Sequence, residues 1–277
     1  MTVTSPAKIN WFLYVLNKRD DGFHEILSPF QKISLYDSLE FEVADAIVMK
    51  DESGIHDNII FKVLDVIKKY EYSNQKGVHI TLHKEIPVSA GLGGGSGDAA
   101  ITLKNLNELW SLDISNDDLM SMAAEIGSDV PFFMGDSFSV IKGRGDVIEP
   151  YRVQQTYDIL LVNPGIAIST RWAYENIKDY YELKNMNEII DAFIASYNLR
   201  DFESMRQIMF NSLEEPVLKK YPEIKEIKDS LQGAGAELTL MSGSGSTVFG
   251  VFKDSLSAKE AEKRFENCWT RVVKTLS

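Results

Sequence analysis

Apolar and polar positions alternate from Ala7 to Val15, with Ala7, Ile9, Trp11, Leu13 and Val15 on one side of an extended chain and Lys8, Asn10, Phe12 and Tyr14 on the other. This predicts a strand that sets Lys8 and Asn10 side by side. Residues 17–22 (NKRDDG) predict a turn, and residues 30–43 a second, longer strand. The period then changes: Ile60, Val63, Leu64 and Ile67 recur at helical spacing behind Asp57, a suitable N-cap, before alternation returns over residues 77–86. Ala99, Leu103, Leu106 and Trp110 mark one face of a helix, and residues 117–126 a further helix ended by Gly127 as a C′ glycine. Beyond Glu149-Pro150 the pattern predicts a strand (YDILLV), a turn at Asn163-Pro164-Gly165 and a helix capped by Ser169 or Thr170. Three more helices (NEIIDAFIASY, PEIKEIKDSL, SAKEAEKRFENCW) and two strands (ELTLMS, STVFGVF) follow. Segregated strands and helices predict an α+β fold. The restart of the pattern sets a boundary between domains over residues 1–150 and 151–277.

A chain of 277 residues, 44% apolar and 25% charged, can bury roughly 70–75% of its unfolded surface without disulfide or metal staples. Its net charge of −12 repels phosphate backbones and anionic lipid, so neither nucleic acid nor a membrane surface is an expected partner. A local anion site remains open to it, because N–H groups at a helix N-terminus bind phosphate without a cationic side chain. The single cysteine, Cys268, forms no intrachain disulfide, which fits a reducing cytoplasm, and its surroundings predict the buried stripe of a terminal helix. The first apolar tract is interrupted by Lys8 and Asn10 and resembles no leader, and no stretch reaches ~18 uninterrupted apolar residues.

The chemistry concentrates in loops. Pro87, Val88, Ser89, Ala90, Gly91, Leu92, Gly93, Gly94, Gly95, Ser96 and Gly97 run between an alternating strand and a periodic helix, and their glycines let backbone N–H groups turn toward an anion. The spacing is neither GxxxxGK[ST] nor GxGxxG, and the loop holds no lysine, so phosphate charge must be met by N–H groups, Mg²⁺ and cations from elsewhere. Ser96 suits a Mg²⁺ or phosphate ligand and equally a helix N-cap. Asp129, in the constrained run GSDVPFF, can accept a proton from a substrate hydroxyl or cap the next turn. The run MSGSGST between two strands reads as a hairpin turn or as a second anion-contacting loop. His79 and His83 have a metal-ligand spacing on a helix, but on a strand they stand ~13 Å apart, so no metal site is expected there.

Taken in order, PAKIN, DGFHE, the loop PVSAGLGGGSGDAA, GSDVPFF, NPG with its later Ser-Thr, and MSGSGSTVF resemble the signature segments of the GHMP kinase superfamily, in the branch whose acceptor is itself a nucleotide. The resemblance spans nearly the whole chain. It implies a ribosomal protein S5-like N-terminal domain and a ferredoxin-like C-terminal domain, with ATP and Mg²⁺ as cofactors and a cytidine diphosphate alcohol of the non-mevalonate isoprenoid route as substrate. It further implies Lys8 and Asp129 as the catalytic pair, with Asp129 the base for the tertiary C2 hydroxyl, residues 87–97 as the ATP loop, and Asn10, Phe23, His24 and Thr170 as substrate contacts. A monomer or homodimer is expected. Phe23 stands where a tyrosine is common, Gly97 replaces a common serine, and GRGD (residues 143–146) replaces a Gly-x-Gly-Glu run. Other kinases of the superfamily, acting on mevalonate, homoserine or a sugar, and a silent nucleotide-binding scaffold are the alternatives. DGFHE argues against the former, and the presence of both Lys8 and Asp129 against the latter.

Overall fold

The computed structural model describes residues 1–51, 58–70, 77–183 and 185–277. The chain opens with β1 (Thr2–Asn10), β2 (Tyr14–Lys18) and the 21-residue β3 (His24–Ala44), which begins earlier than its apolar run. The alternation over residues 7–15 therefore covers two strands. Leu13 leaves β3 and pairs with Asn211, its N–H donating to Phe210 O at 2.7 Å and its C=O accepting from Ser212 N–H at 2.8 Å. Every residue from Ala7 to Val15 is buried, so the period of two separates two covered faces here and not core from solvent.

Next come β4 (Val48–Asp51) and α1 (Ile59–Lys69). The expected cap, Asp57, lies outside the described residues; Asn58 holds the cap position, its Oδ1 accepting from Ile60 N–H at 3.0 Å. The strand expected over 77–86 ends early, as β5 (Gly77–His83), because the N–H groups of Glu85 and Ile86 donate to the Asp37 carboxylate. Then follow α2 (Gly94–Trp110), α3 (Asn116–Ile126) and α4 (Val130–Met134). Gly127 ends α3 in extended backbone (φ −177°, ψ 154°), not in the left-handed conformation of a C′ glycine. The strands β6 (Phe138–Gly143) and β7 (Val147–Pro150) form a hairpin through GRGD.

After β8 (Asp158–Asn163) come α5 (Thr170–Glu175), α6 (Met186–Leu199), α7 (Phe202–Ile208), α8 (Glu214–Lys220) and α9 (Pro222–Gly233). The chain closes with β9 (Leu238–Met241), β10 (Val248–Phe252), α10 (Ser255–Glu262) and β11 (Trp269–Lys274). Helices α7 and α8 are too short to show a period. Since α10 stops at Glu262, Cys268 stands in the bend before β11, half-buried, and not on a helix; burial pushes its thiol pKa up. Among the described residues no helix is long and apolar enough to cross a membrane.

Two compact units interleave along the chain. The first comprises Met1–Ala7, Leu35–Pro87 and Gly93–Asp136, and the second Lys8–Ser34, Val88–Leu92 and Ser137–Ser277. In the first, β4 pairs parallel with β5, and β5 antiparallel with the later part of β3, setting Phe41 opposite Ile80 and Leu39 opposite Leu82. Helices α1 to α4 pack on one another, and Lys62 Nζ ties α1 to the end of α3 by donating to Ile126 O at 2.6 Å. His79 Nδ1 faces Glu42 at 3.8 Å while His83 Nε2 faces Glu40 at 4.0 Å, so the two rings address different carboxylates.

In the second unit the early part of β3 pairs with β2 and β6. A separate antiparallel sheet has the order β11-β8-β10-β9, with helices between β8 and β9 and between β10 and β11. This is the split β-α-β-β-α-β topology of a ferredoxin-like domain. An aromatic core fills the unit: Trp11, Tyr157 and Tyr197 meet edge to face at 4.7–5.4 Å. Gln31 accepts from Trp11 Nε1 at 2.6 Å and donates to the Tyr197 hydroxyl at 2.9 Å, while the Tyr157 hydroxyl donates to Tyr197 O at 2.6 Å.

Candidate active site

Three of the sequence motifs meet within the second unit. The backbone N–H of Lys8 donates to Leu92 O at 2.9 Å, joining the PAKIN strand to the glycine-rich loop. Thr247 N–H donates to Ala90 O at 3.2 Å and Ser242 Oγ to Gly91 O at 2.9 Å, joining that loop to the SGSGS hairpin. Gly91 has φ +78°, and a Cβ there would stand 2.0 Å from Ser242 O, so only glycine permits this approach. The hairpin runs from β9 to β10 as the alternation predicts, and it also closes on the Lys8 side chain: a Cβ on Gly243 would come 3.5 Å from Lys8 Nζ and 3.4 Å from Asn10 Oδ1. Lys8 is 4% exposed; its Nζ donates to Asn10 Oδ1 at 2.6 Å and lies 4.5 Å above the Phe30 ring. Asn10 Nδ2 in turn donates to Ser28 Oγ at 3.0 Å.

The loop then enters the first unit. Gly93, at φ 69°, holds the N-cap position of α2 with no side-chain cap. Gly97 N–H donates to Gly93 O at 3.0 Å, while the N–H groups of Gly94, Gly95 and Ser96 open the helix without a capping side chain. A helix start of this kind, with the positive end of the dipole behind it, suits an anion. Ser96 is the third residue of α2 and not its cap, which leaves its hydroxyl to a ligand. The predicted loop residues differ in what surrounds them. Gly95 is exposed, and a Cβ there meets only Ile59 at 3.6 Å, whereas one on Gly97 would lie 2.5 Å from Ser5 Oγ and 3.0 Å from Pro6 O. Gly97 thus serves the close packing of α2 on β1.

Asp129 lies in the first unit, at the N-cap position of α4, half-buried and without a capping hydrogen bond from its side chain. Of its two sequence readings, the capping role is not the one its side chain fills. Lys8 belongs to the second unit.

The expected base-binding residues are all in the second unit. The His24 ring, at the start of β3, stacks on Tyr174 at 5.1 Å and tilts toward Tyr180 at 6.1 Å. Burial, helped by the charge of Lys18, lowers its pKa below the ordinary histidine range, so the ring is neutral at pH 7. Phe23 is 49% exposed, with its N–H bonded to Asp21 Oδ1 at 3.0 Å and the Arg144 guanidinium 5.4 Å from its ring. Ser169 caps α5, accepting from Trp172 N–H, and Thr170 Oγ1 bonds Ser244 Oγ at 2.9 Å, which attaches α5 to the SGSGS hairpin. Tyr174 and Tyr180 are absent from the sequence reading, and Arg144 enters it only as part of GRGD. The density of aromatics in the polar run RWAYENIKDYYE is the signal that could have marked the two tyrosines.

Residues 58–136 match the GHMP kinases N terminal domain and residues 189–270 the GHMP kinases C terminal family. The chain is 45% identical over 280 residues to a 4-diphosphocytidyl-2-C-methyl-D-erythritol kinase of Thermodesulfovibrio yellowstonii, covering 100% of this chain and 98% of that one. The chain belongs to this kinase family. A second relative of the same description, from Syntrophus aciditrophicus, is 40% identical over 95% of the chain and 93% of its own length. Among solved structures, a 4-(cytidine 5'-diphospho)-2C-methyl-D-erythritol kinase superposes on all of the kinase with a TM-score of 0.86 at 29% identity. A homoserine kinase from Cytophaga hutchinsonii, at 16% identity and a TM-score of 0.76 over 100% of this chain and 94% of its own, shares the fold. The two-domain α+β GHMP kinase fold and ATP-dependent phosphotransfer follow from this membership.

Proposed function

We propose that this kinase transfers the γ-phosphoryl group of ATP to the 2-hydroxyl of 4-diphosphocytidyl-2-C-methyl-D-erythritol, in non-mevalonate isoprenoid precursor biosynthesis, with Asp129 as the base. The observation that carries the reading is the joining of Lys8, the glycine-rich loop and the SGSGS hairpin by three hydrogen bonds, two of them backbone to backbone. The Asp129 carboxylate takes the hydroxyl proton, the freed oxygen bonds the γ-phosphorus, and the bond to the bridging oxygen breaks with its electron pair going to ADP. The Lys8 ammonium offsets charge on the moving phosphoryl group, and the uncapped N–H groups of Gly94, Gly95 and Ser96 hold the phosphates. Mg²⁺ bound with ATP would neutralise phosphate charge, and the Ser96 hydroxyl, a hard oxygen in the first turn of α2, suits it.

At the other end of the acceptor, Phe23, His24, Tyr174 and Tyr180 offer flat rings and a neutral imidazole to a cytosine, features that mevalonate, homoserine or a sugar would leave unused. The same reading keeps residues 1–150 and 151–277 as the two kinase domains and the cytoplasm as the place of action. Incubation with ATP and a panel of these alcohols, with ADP release as readout, tests it: turnover confined to the cytidine substrate is expected, and turnover of a smaller alcohol alone would overturn it.

A further inference from the structure

Lys84, Asp37 and Asp98 form a buried ionic cluster behind the start of α2, in the first unit. The Lys84 side chain is 9% exposed, that of Asp37 0% and that of Asp98 2%. Lys84 Nζ donates to Asp37 Oδ2 and, at 2.8 Å, to Asp98 Oδ2. Asp37 Oδ1 accepts from the N–H groups of Glu85 at 2.6 Å and Ile86 at 2.8 Å, so this carboxylate fastens the segment that leads into the glycine-rich loop. The space behind Gly94 is used up by the same segment: a Cβ there would stand 2.9 Å from Ile86 Cγ2 and 3.2 Å from Lys84 Nζ. A buried ammonium therefore lies against the first residue of the helix whose N–H groups are uncapped. The phosphoryl-transfer scheme above uses none of these three side chains.

Two carboxylates oppose one ammonium, so the cluster carries one net negative charge when all three groups are ionised. Burial pushes the Asp98 pKa up to about 6, and the charge of Asp37 acts in the same direction against the pull of Lys84. Burial alone would lower the Lys84 pKa, but the two carboxylates outweigh it and hold the ammonium above the ordinary lysine range. Among the described residues Asp98 Oδ1 has no hydrogen-bond partner. Ser5 Oγ, on β1, lies near enough to favour the ionised form without a bond of good geometry. The charged groups that face Asp98 are Lys84, just beyond β5, and Asp37, on β3.

We propose that Lys84 is a positioning residue for nucleotide binding: it bridges Asp37 and Asp98, fixes the first turn of α2 against Ile86, and sets positive charge behind the phosphate-binding N–H groups. The inference rests on the reading of this loop as the ATP cradle.

Calorimetric titration with a non-hydrolysable ATP analogue and Mg²⁺ tests this without any acceptor alcohol. Lys84→Met should raise Kd tenfold or more, because two buried carboxylates are left facing each other behind the loop. Asp98→Asn keeps an oxygen for Lys84 and removes the charge, so it should bind as tightly as the unsubstituted kinase or about threefold tighter at pH 7.5. A folded Lys84→Met variant with unchanged Kd would overturn the proposal; a merely structural staple would shift Tm and leave Kd alone. If Lys84→Met does not fold, Asp98→Asn decides, and a Kd raised threefold or more in it would overturn the proposal. A wrong acceptor assignment leaves this measurement intact, whereas failure of the unsubstituted protein to bind the analogue would overturn the kinase reading as well.

Discussion

Between residues 91 and 97 five of seven side chains are missing altogether, and what the chain offers a ligand there is backbone N–H at an uncapped helix start. Around His24 the offer is the reverse: Phe23, Tyr174 and Tyr180 bring rings to a polar surface, from the start of β3, from α5 and from the irregular segment after it. Phosphates are alike in every nucleotide, so a site made of N–H groups holds them without discrimination. A base has an edge pattern and a face, and reading it takes side chains of fixed chemistry. The two regions should accordingly fail in different ways when altered.

The largest effect is expected at neither of them. Asp129→Asn keeps the size of the side chain and removes the proton acceptor, so kcat should fall by roughly 10²-fold or more while ATP and acceptor bind as before. Retention of more than about a tenth of kcat, by steady-state ADP release, would take Asp129 out of the base role. At the base end, Phe23→Ala or Tyr174→Ala should raise KM for the cytidine substrate by ~5- to 100-fold, the equivalent of ~1–3 kcal/mol of stacking, with a smaller change in kcat. Phe23→Tyr should be nearly neutral, and a uridine analogue should be rejected because its O4 cannot donate. An unchanged KM in either alanine variant would mean that its ring takes no part in reading the base.

At the phosphate end the expected loss is about tenfold and confined to the nucleotide, for Gly95→Val, whose added Cβ meets only Ile59, at 3.6 Å, among the described residues. Gly94 is unsuitable for this test, since any Cβ there collides with Ile86. Equal ATP affinity in folded Gly95→Val would refute the cradle. The smallest effect concerns pH. The lowered pKa of His24 means that the ring takes a proton only as pH falls below the ordinary histidine range, so KM for the cytidine substrate should stay flat from pH 8 through 7 and rise only in more acid solution. The stability that depends on a neutral His24 is likewise present above the unfolded histidine pKa and lost as pH falls through the lowered one. A KM that climbs already between pH 8 and 7 would contradict a half-buried, neutral ring.

The two regions also differ in how far they are legible in the chain. The glycine-rich loop is a contiguous run, and the strand before it and the helix after it are marked by periods of their own, so an anion cradle follows from neighbours in sequence. The helix starts ahead of Ser96, the cap that the sequence offers, because Gly93 enters it through a left-handed conformation that needs no capping side chain. Around His24 the partner ring comes from a six-residue helix 150 positions later, and nothing local in β3 announces it. Lys84, Asp37 and Asp98 likewise read one at a time as an ordinary surface lysine and two acids.

What the sequence determined by itself is what depends on short range: the amphipathic faces of α1 and α2, the hairpin of β9 and β10, the glycine loop, and the ordered motifs that identify the kinase family. What only the tertiary structure decided is every pairing across distance: the division of the first apolar run into β1 and β2, the joining of Lys8, Leu92 and Ser242 into one cluster of motifs, the rings around His24, and the ion cluster behind α2. The reason is physical. Local spacing constrains which face of an element is buried, but a buried charge or a stacked ring is defined by its partner, and the partner is chosen by the packing of elements far apart in the chain.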